Sequence, residues 1–150
     1  MDKFNEIVDR ILDNPEIVHS LSEEELHYKD GIGESLLHFF LIEGKINICK
    51  LLVSRGLSIN TKNKYGENPF YDCCKVAQHE SVAYLVSQGA DVNFKSESEG
   101  ETPLHLCAYR IERSDYRTLY NFLISNGADN QAINDFGETP EDIVSEVLGR

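Results

Sequence analysis

One phrase recurs along the chain and restricts every fold it can adopt. Asp30-Gly-Ile-Gly33-Glu-Ser-Leu-Leu-His38, Asn63-Lys-Tyr-Gly66-Glu-Asn-Pro-Phe-Tyr71 and Glu97-Ser-Glu-Gly100-Glu-Thr-Pro-Leu-His105 align on a glycine, and a fourth copy opens at Asn134-Asp-Phe-Gly137-Glu-Thr-Pro140. The aligned glycines lie 33, 34 and 37 residues apart. A second phrase follows each of the first three: Leu51-Leu-Val-Ser-Arg-Gly56-Leu-Ser-Ile-Asn60, Leu85-Val-Ser-Gln-Gly89-Ala-Asp-Val-Asn93 and Leu123-Ile-Ser-Asn-Gly127-Ala-Asp-Asn130. Such a period marks an array of supersecondary units, none of which can bury its apolar face alone.

Each unit reads as two helices and a loop. Thr102 and Thr139 are N-cap residues, and Pro103 and Pro140 suit a first helical turn. Leu104, Leu106, Cys107 and Ala108 make a short apolar helix. Apolar residues at helical spacing follow in a second helix, as in Ile48, Leu51, Leu52 and in Val82, Leu85, Val86. Gly56, Gly89 and Gly127 fit helix ends that need positive φ. The polar stretch to the next unit turns as a hairpin-like loop. At the N-terminus Phe4, Ile7, Val8, Ile11 and Leu12 form an amphipathic stripe that Asn14-Pro15 ends. Pro140–Leu148 supplies a last helix, with Ile143, Val144, Val147 and Leu148 on its apolar side.

The Gly-Glu-Thr-Pro-Leu-His of Gly100–His105 and the Gly-Ala-Asp-Val-Asn of Gly89–Asn93 resemble the ankyrin repeat family. The resemblance covers residues 30–150. It implies an all-α solenoid of stacked helix-turn-helix units with hairpin-like loops. The chain then divides as one domain, 1–150: an N-terminal cap over 1–29 with an acidic outer face, repeats at about 30–62, 63–95 and 96–133, and a C-terminal cap over 134–150. The resemblance also gives His38 and His105 a structural task, bonding backbone between neighbouring loops.

The departures from the family pattern are local. Ser35-Leu36 replaces Thr-Pro, and Asn68-Pro69-Phe70-Tyr71 lacks both the Leu and the His. Gly33–Gly56 and Gly66–Gly89 each span 23 residues, whereas Gly100–Gly127 spans 27. The extra four are placed around Ile111–Tyr116, between two helices, and one more residue enters the loop Phe94–Glu99. Insertions of this kind sit on working faces or record neutral loop drift.

Charge narrows the partners. The chain has 14 Lys and Arg against 26 Asp and Glu, a net charge of -12. Residues 1–29 hold 8 acids and 3 bases, and residues 96–150 hold 11 and 4, so acid gathers at both ends. Nucleic acid and anionic membranes want the opposite sign, and neither is expected as a direct partner. Such a field serves solubility, and it also steers basic proteins inward. The N-terminus lacks a secretory pattern and no apolar run reaches membrane-spanning length. Cys49, Cys73, Cys74 and Cys107 lack C-x-x-C spacing and read as reduced, partly buried thiols. A cytoplasmic location is therefore expected.

Catalytic signals are sparse. Neither a nucleophile elbow, a phosphate loop nor a dinucleotide fingerprint occurs. The nearest approach to a zinc set is Cys73-Cys74 with His79, and the nearest to paired carboxylates are Glu23-Glu24-Glu25 and Glu97, Glu99, Glu101. A carboxylate- or metal-dependent hydrolase is the reading from another class. No catalytic residue, metal ligand or cofactor is assigned.

Binding remains. In the family, residues around each loop glycine and late in each first helix vary with the partner. On this chain those positions are Ile32 and Glu34, with Ile42 and Glu43; Lys64, Tyr65 and Glu67, with Lys75; Ser98, Glu99 and Glu101, with Tyr109 and Arg110; and Asp135, Phe136 and Glu138. A Glu follows all four loop glycines, and Ile32, Tyr65 and Phe136 precede three of them. Stacking is expected to place these in two rows along one concave groove. An acidic row beside aromatics suits a basic protein partner, and Glu in a helix's first turn is also favourable without one. The expectation is a non-enzymatic protein-binding module, monomeric when unbound. The resemblance extends to short immunity proteins, so a dedicated inhibitor of a basic, nuclease-type toxin is one expectation. An adaptor or effector reading a regulatory protein or peptide is the alternative.

Overall fold

In a computed structural model that describes residues 2–149, the repeats become a stack of paired helices. The helices are α1 (Lys3–Asp13), α2 (Glu23–Leu26), α3 (Leu36–Ile42), α4 (Ile46–Ser54), α5 (Pro69–Lys75), α6 (His79–Ser87), α7 (Pro103–Ala108), α8 (Ser114–Ser125) and α9 (Pro140–Leu148). A 3-10 helix, Pro15–Ser20, lies between α1 and α2. Among the described residues there is no strand, only an isolated antiparallel bridge between Lys29 and Ser35.

The starts follow from local chemistry. Ser35, Asn68 and Thr139 accept from the backbone N–H three residues on, which satisfies a helix's unpaired first-turn donors. Pro69, Pro103 and Pro140 open their helices where a missing N–H costs nothing. At the other end Gly89 takes φ +85, and the next N–H, Ala90's, donates back to the Leu85 carbonyl at 3.0 Å. This closing turn needs a residue without Cβ strain, and Gly56 and Gly127 repeat it.

Helices α3, α5, α7 and α9 stack as an inner row, and α4 and α6 pack as outer neighbours. One core runs through them: Leu36, Leu37, Phe40 and Leu41, then Phe70, Cys73 and Cys74, then Leu104 and Cys107, faced by Leu52, Val82, Leu85 and Leu119. Each large apolar side chain so buried contributes about 1.5–3 kcal/mol. All four cysteines are free and wholly buried, deeper than the partial burial expected of them.

Polar side chains lock one repeat onto the next. Ser81 near the start of α6 donates to the Leu41 carbonyl, and Gln78 donates to Ile42 O at 3.2 Å. Tyr116, at the equivalent place in α8, donates to Lys75 O at 2.5 Å. These bonds reach carbonyls at the ends of the short inner helices; Leu41 O also accepts from the Gly44 N–H at 3.0 Å. Arg55 ties the N-terminal segment on, donating to Val18 O and to Leu21 O.

Two expectations are corrected. Leu12 is 46% exposed; the stripe that packs is Phe4, Ile7, Val8 and Ile11, and Leu12 lies past its edge. The third-repeat insertion does not lie wholly between helices. Ser114–Tyr116 belong to α8, which has 12 residues against 9 in α4 and α6. Buried Ile111 and Tyr116 anchor it, with Arg110 and Arg113 over the Tyr116 ring.

The turn between α5 and α6 carries strain. Ala77 has φ 51 where the preceding repeat has Gly44 at φ 70. A left-handed residue with a Cβ costs more than glycine there. Ala77→Gly is expected to stabilise the fold by about 0.5–1 kcal/mol after the entropy cost of glycine. Urea unfolding of the two proteins measures this, and a lower midpoint for the variant would refute it.

Candidate partner-binding site

The loop tips are built around one small polar side chain. Asp30 Oδ1 accepts from the N–H groups of Ile32 (3.0 Å) and Glu34 (2.8 Å). Asn63 Oδ1 does the same for Tyr65 (2.9 Å) and Glu67 (3.1 Å), and Asn134 Oδ1 for Phe136 (3.0 Å) and Glu138 (2.9 Å). In the third tip, which is one residue longer, Ser96 Oγ accepts from Glu101 N at 3.2 Å. Such side-chain-to-backbone bonds fix a turn that has no ladder of its own. The tips also join: Lys64 N–H donates to Ile32 O and Asp135 N–H to Glu99 O, both at 2.9 Å.

The buried histidines complete the frame. His105 Nδ1 accepts from the Thr102 N–H at 3.1 Å, so Nε2 carries the proton and donates to Glu138 O in the next repeat at 3.1 Å. His38 Nδ1 accepts from Ser35 N–H at 3.2 Å, but its Nε2 faces Glu67 without meeting hydrogen-bond geometry. Burial pushes His38 down to about 4 and His105 in the same direction. The second repeat has Tyr71 in place of the histidine; its hydroxyl instead reaches Ser96, the anchor of the following tip.

This frame presents an uneven set of side chains. Tyr65 is 59% exposed and Phe136 63%, both at the points of tips, with Ile32 and Tyr109 exposed as well. Lys64 is exposed, though its Nζ donates to Gly31 O at 2.6 Å. Glu99 and Asp135 are exposed, while Glu34, Glu67 and Glu138 are half-buried. Glu101 is only 5% exposed, so the four glutamates do not form one uniformly accessible row. Tyr109 binds two of them, donating to Glu138 at 3.2 Å and pairing with Glu101.

A carboxylate cluster joins the first two tips. Lys75 Nζ lies 2.9 Å from Glu67 and 3.6 Å from Asp72. Asn63 Nδ2 donates toward both acids, at 3.4 and 3.5 Å. Asp72 is 4% exposed and sits six residues after its loop glycine, where the other repeats have Phe39, Leu106 and Ile143. Motif matching passes over this residue; comparing registers across repeats finds it. Burial, then Glu67, push the Asp72 carboxyl up to about 7. Glu34 is raised by burial and then by Asp30. Desolvation pulls Lys75 down, but Glu67 and Asp72 outweigh it and hold the ammonium above the ordinary lysine value.

The model of ankyrin repeats in three copies matches residues 5–96, and that of a single ankyrin repeat matches residues 99–135. The chain belongs to the ankyrin-repeat family. Its all-α solenoid is the fold the resemblance implied. Among its relatives, protein phosphatase 1 regulatory subunit 27 of Mus musculus is 32% identical over 97 residues, 65% of this chain and 60% of that protein. Ankyrin repeat protein OPG189 of Monkeypox virus is 30% identical over 122 residues, 73% of this chain and 21% of the relative. NF-kappa-B inhibitor zeta of Homo sapiens is 26% identical over 126 residues, 81% and 17%. The chain thus spans less than two-thirds of these relatives' lengths. Ankyrin repeats make it a protein-interaction module, and these relatives include a regulatory subunit and an inhibitor by name. Among the described residues no helix is long and apolar enough to cross a membrane, and no group of His, Cys, Asp and Glu could hold a metal ion.

The titrations have opposite signs. The native state holds a proton on Asp72 that the unfolded chain releases above its ordinary value of 3.8, so stability falls as pH rises toward 7. The histidines act the other way: they are neutral in the fold, and stability is lost as pH drops below 6.5. Asp72→Asn removes only the first effect. We expect it to raise Tm by about 3–6 °C at pH 8 and by less than half as much at pH 5, because the penalty grows from 3.8 upward. Thermal melts at both values test this; a lower Tm at pH 8 would show that the ionised carboxylate stabilises the repeat.

Proposed function

We propose that this protein binds a basic protein through its loop tips and the adjoining ends of the inner helices, and acts by occupying that partner's surface. One observation carries the reading. Large apolar side chains, Tyr65 and Phe136, stand exposed on tips whose backbone is fixed by Asn63 and Asn134. Exposed aromatics on a rigid frame lose little entropy on binding and make good anchors. The acids beside them supply the sign: Glu67 and Asp72 share one ammonium, Lys75, and Glu34, Glu99, Asp135 and Glu138 extend the set. Among the cations elsewhere, Lys62 pairs with Glu97 and Arg10 with Glu25, so those charges are compensated where they stand.

The partner-contact set is Ile32, Glu34, Lys64, Tyr65, Glu67, Lys75, Glu99, Tyr109, Asp135, Phe136 and Glu138, with Glu101 supporting Tyr109 from below. An enzyme that acts on nucleic acid needs a cationic groove, and a nuclease-type toxin is the partner class best suited to occlusion by these acids. In that role the protein is a dedicated inhibitor of the immunity type, monomeric until bound. A second reading, an adaptor for a regulatory protein, draws support from the regulatory subunit among the relatives. In it the aromatics lead and charge matters little.

Tagged protein captured from its native lysate at low and moderate salt separates these. The pair Glu99→Lys and Asp135→Lys is expected to weaken capture of a basic partner at least tenfold and to flatten its salt dependence. Tyr65→Ala with Phe136→Ala is expected to abolish capture under either reading. A partner retained by the charge-reversed protein at moderate salt would exclude the inhibitor and favour the adaptor. Enzymatic activity of the partner that persists in the complex would refute occlusion.

A further inference from the structure

The row of loop tips is joined in two halves. The first tip bonds to the second through the Lys64 N–H and Ile32 O, and the third to the fourth through the Asp135 N–H and Glu99 O, both at 2.9 Å. In each case the acceptor immediately precedes a loop glycine, and the donor lies two residues before the next one. At the middle junction the same register would pair Tyr65 O with the Ser98 N–H. That bond is absent. Among the described residues, Tyr65 O and the N–H groups of Glu97 and Ser98 have no hydrogen-bond partner.

The one-residue insertion in the third tip accounts for the break. Asn63 and Asn134 stand three residues before their glycines, whereas Ser96 stands four before Gly100. The space at the junction is filled differently as well. A Cβ on Gly33 would meet Lys64 N at 3.2 Å and one on Gly100 would meet Asp135 N at 3.4 Å, so backbone faces backbone there. On Gly66 the three nearest atoms would all belong to the Glu97 side chain. Lys62 holds that carboxylate at 2.7 Å and also lies over the Phe94 ring, 5.7 Å from its centroid. Both members of the pair are exposed, so it is weak, and Lys62 keeps its aromatic neighbour when Glu97 leaves.

Unpaired main-chain groups on adjacent turns are a template for another chain. Exposed Tyr65 stands on one side of the junction, and exposed Glu97 and Glu99 stand on the other. We propose that an extended, basic segment of the partner docks across the junction between the second and third tips, donating a backbone N–H to Tyr65 O and accepting from the Ser98 N–H. A residue in an extended strand offers both groups on one side, as it does to its opposite in an antiparallel pair. A neighbouring cation of the segment takes Glu97 from Lys62, and an apolar side chain packs on the Tyr65 ring. This rests on the basic-partner reading above and names the part of the partner that is recognised. It also makes the one-residue insertion a working feature.

The peptide acetyl-Arg-Val-Arg-Val-Arg-Val-amide is the probe, because β-branched residues favour an extended chain. The same peptide N-methylated at its valines is the control, with its charge kept and those donors removed. NMR titration of the isotope-labelled full chain at low salt is expected to shift the Ser98 amide and to give about fivefold tighter binding of the unmethylated peptide. Deletion of Ser98 restores the three-residue spacing. It is expected to melt no lower than wild type and to weaken peptide binding by about tenfold, the worth of two such bonds. Ser98→Pro keeps the loop length, removes one donor and is expected to weaken binding by about threefold, which decides the matter if the deletion does not fold. Equal affinity for the two peptides would overturn main-chain docking and leave the basic-partner reading standing. A folded deletion, or a Ser98→Pro protein, that binds as tightly as wild type would overturn the docking point and assign the insertion to loop drift. Absence of binding by either peptide to the wild-type chain would remove the basic-partner reading and this inference with it.

Discussion

A small acceptor side chain at the foot of each loop is the element on which the rest depends. Asp30, Asn63 and Asn134 each gather two backbone N–H groups into one tight turn. That turn sets where the following helix starts, where the preceding tip can bond, and which side chain stands outermost. Burying Asn63 and Asn134 leaves little freedom for alternatives, because an unpaired amide there carries a large desolvation penalty. The helices supply apolar area; the anchors decide how one unit registers on the next.

Interlocking is redundant along the stack, which explains how the second repeat tolerates losing its histidine. His105 links its own cap to the Glu138 carbonyl. Tyr71 links to Ser96, the next anchor, and packs its ring 5.8 Å from Phe94. Different atoms satisfy the same demand, a polar connection between consecutive turns. The second repeat is also where Asp72 enters and where Ala77 takes a left-handed backbone, so departures concentrate in one unit that its neighbours hold in place.

Much of the architecture is legible in the chain. Asn68-Pro69, Thr102-Pro103 and Thr139-Pro140 mark helix starts because capping and proline act locally, and Gly56, Gly89 and Gly127 mark ends for the same reason. Leu12 misleads because helical periodicity gives a face but not its width. The insertion misleads because added residues can extend a helix as readily as a turn, and Tyr116 is drawn into α8 by a bond to Lys75 O that only the fold creates. Exposed tip residues such as Tyr65 follow from the motif. The withdrawal of Glu101 does not, since it depends on Tyr109 and on Ser96 assuming the anchor's place one residue early. Asp72 is hidden for a related reason: its burial and its neighbours come from two different tips.

The lengthened α8 has a consequence for how such a chain can change over evolutionary time. Its added turn grows along the outer row and is fastened there by Ile111, Tyr116 and the arginines above that ring. The inner row beyond it keeps its packing, with α9 still seated on α7 and Asp135 still bonded to Glu99. The longer insertion of the third repeat is thereby taken up in α8, while the loop tips on either side stay bonded to one another. A lineage can lengthen such a helix without retuning the spacing of its loop tips, the surface proposed above for recognition.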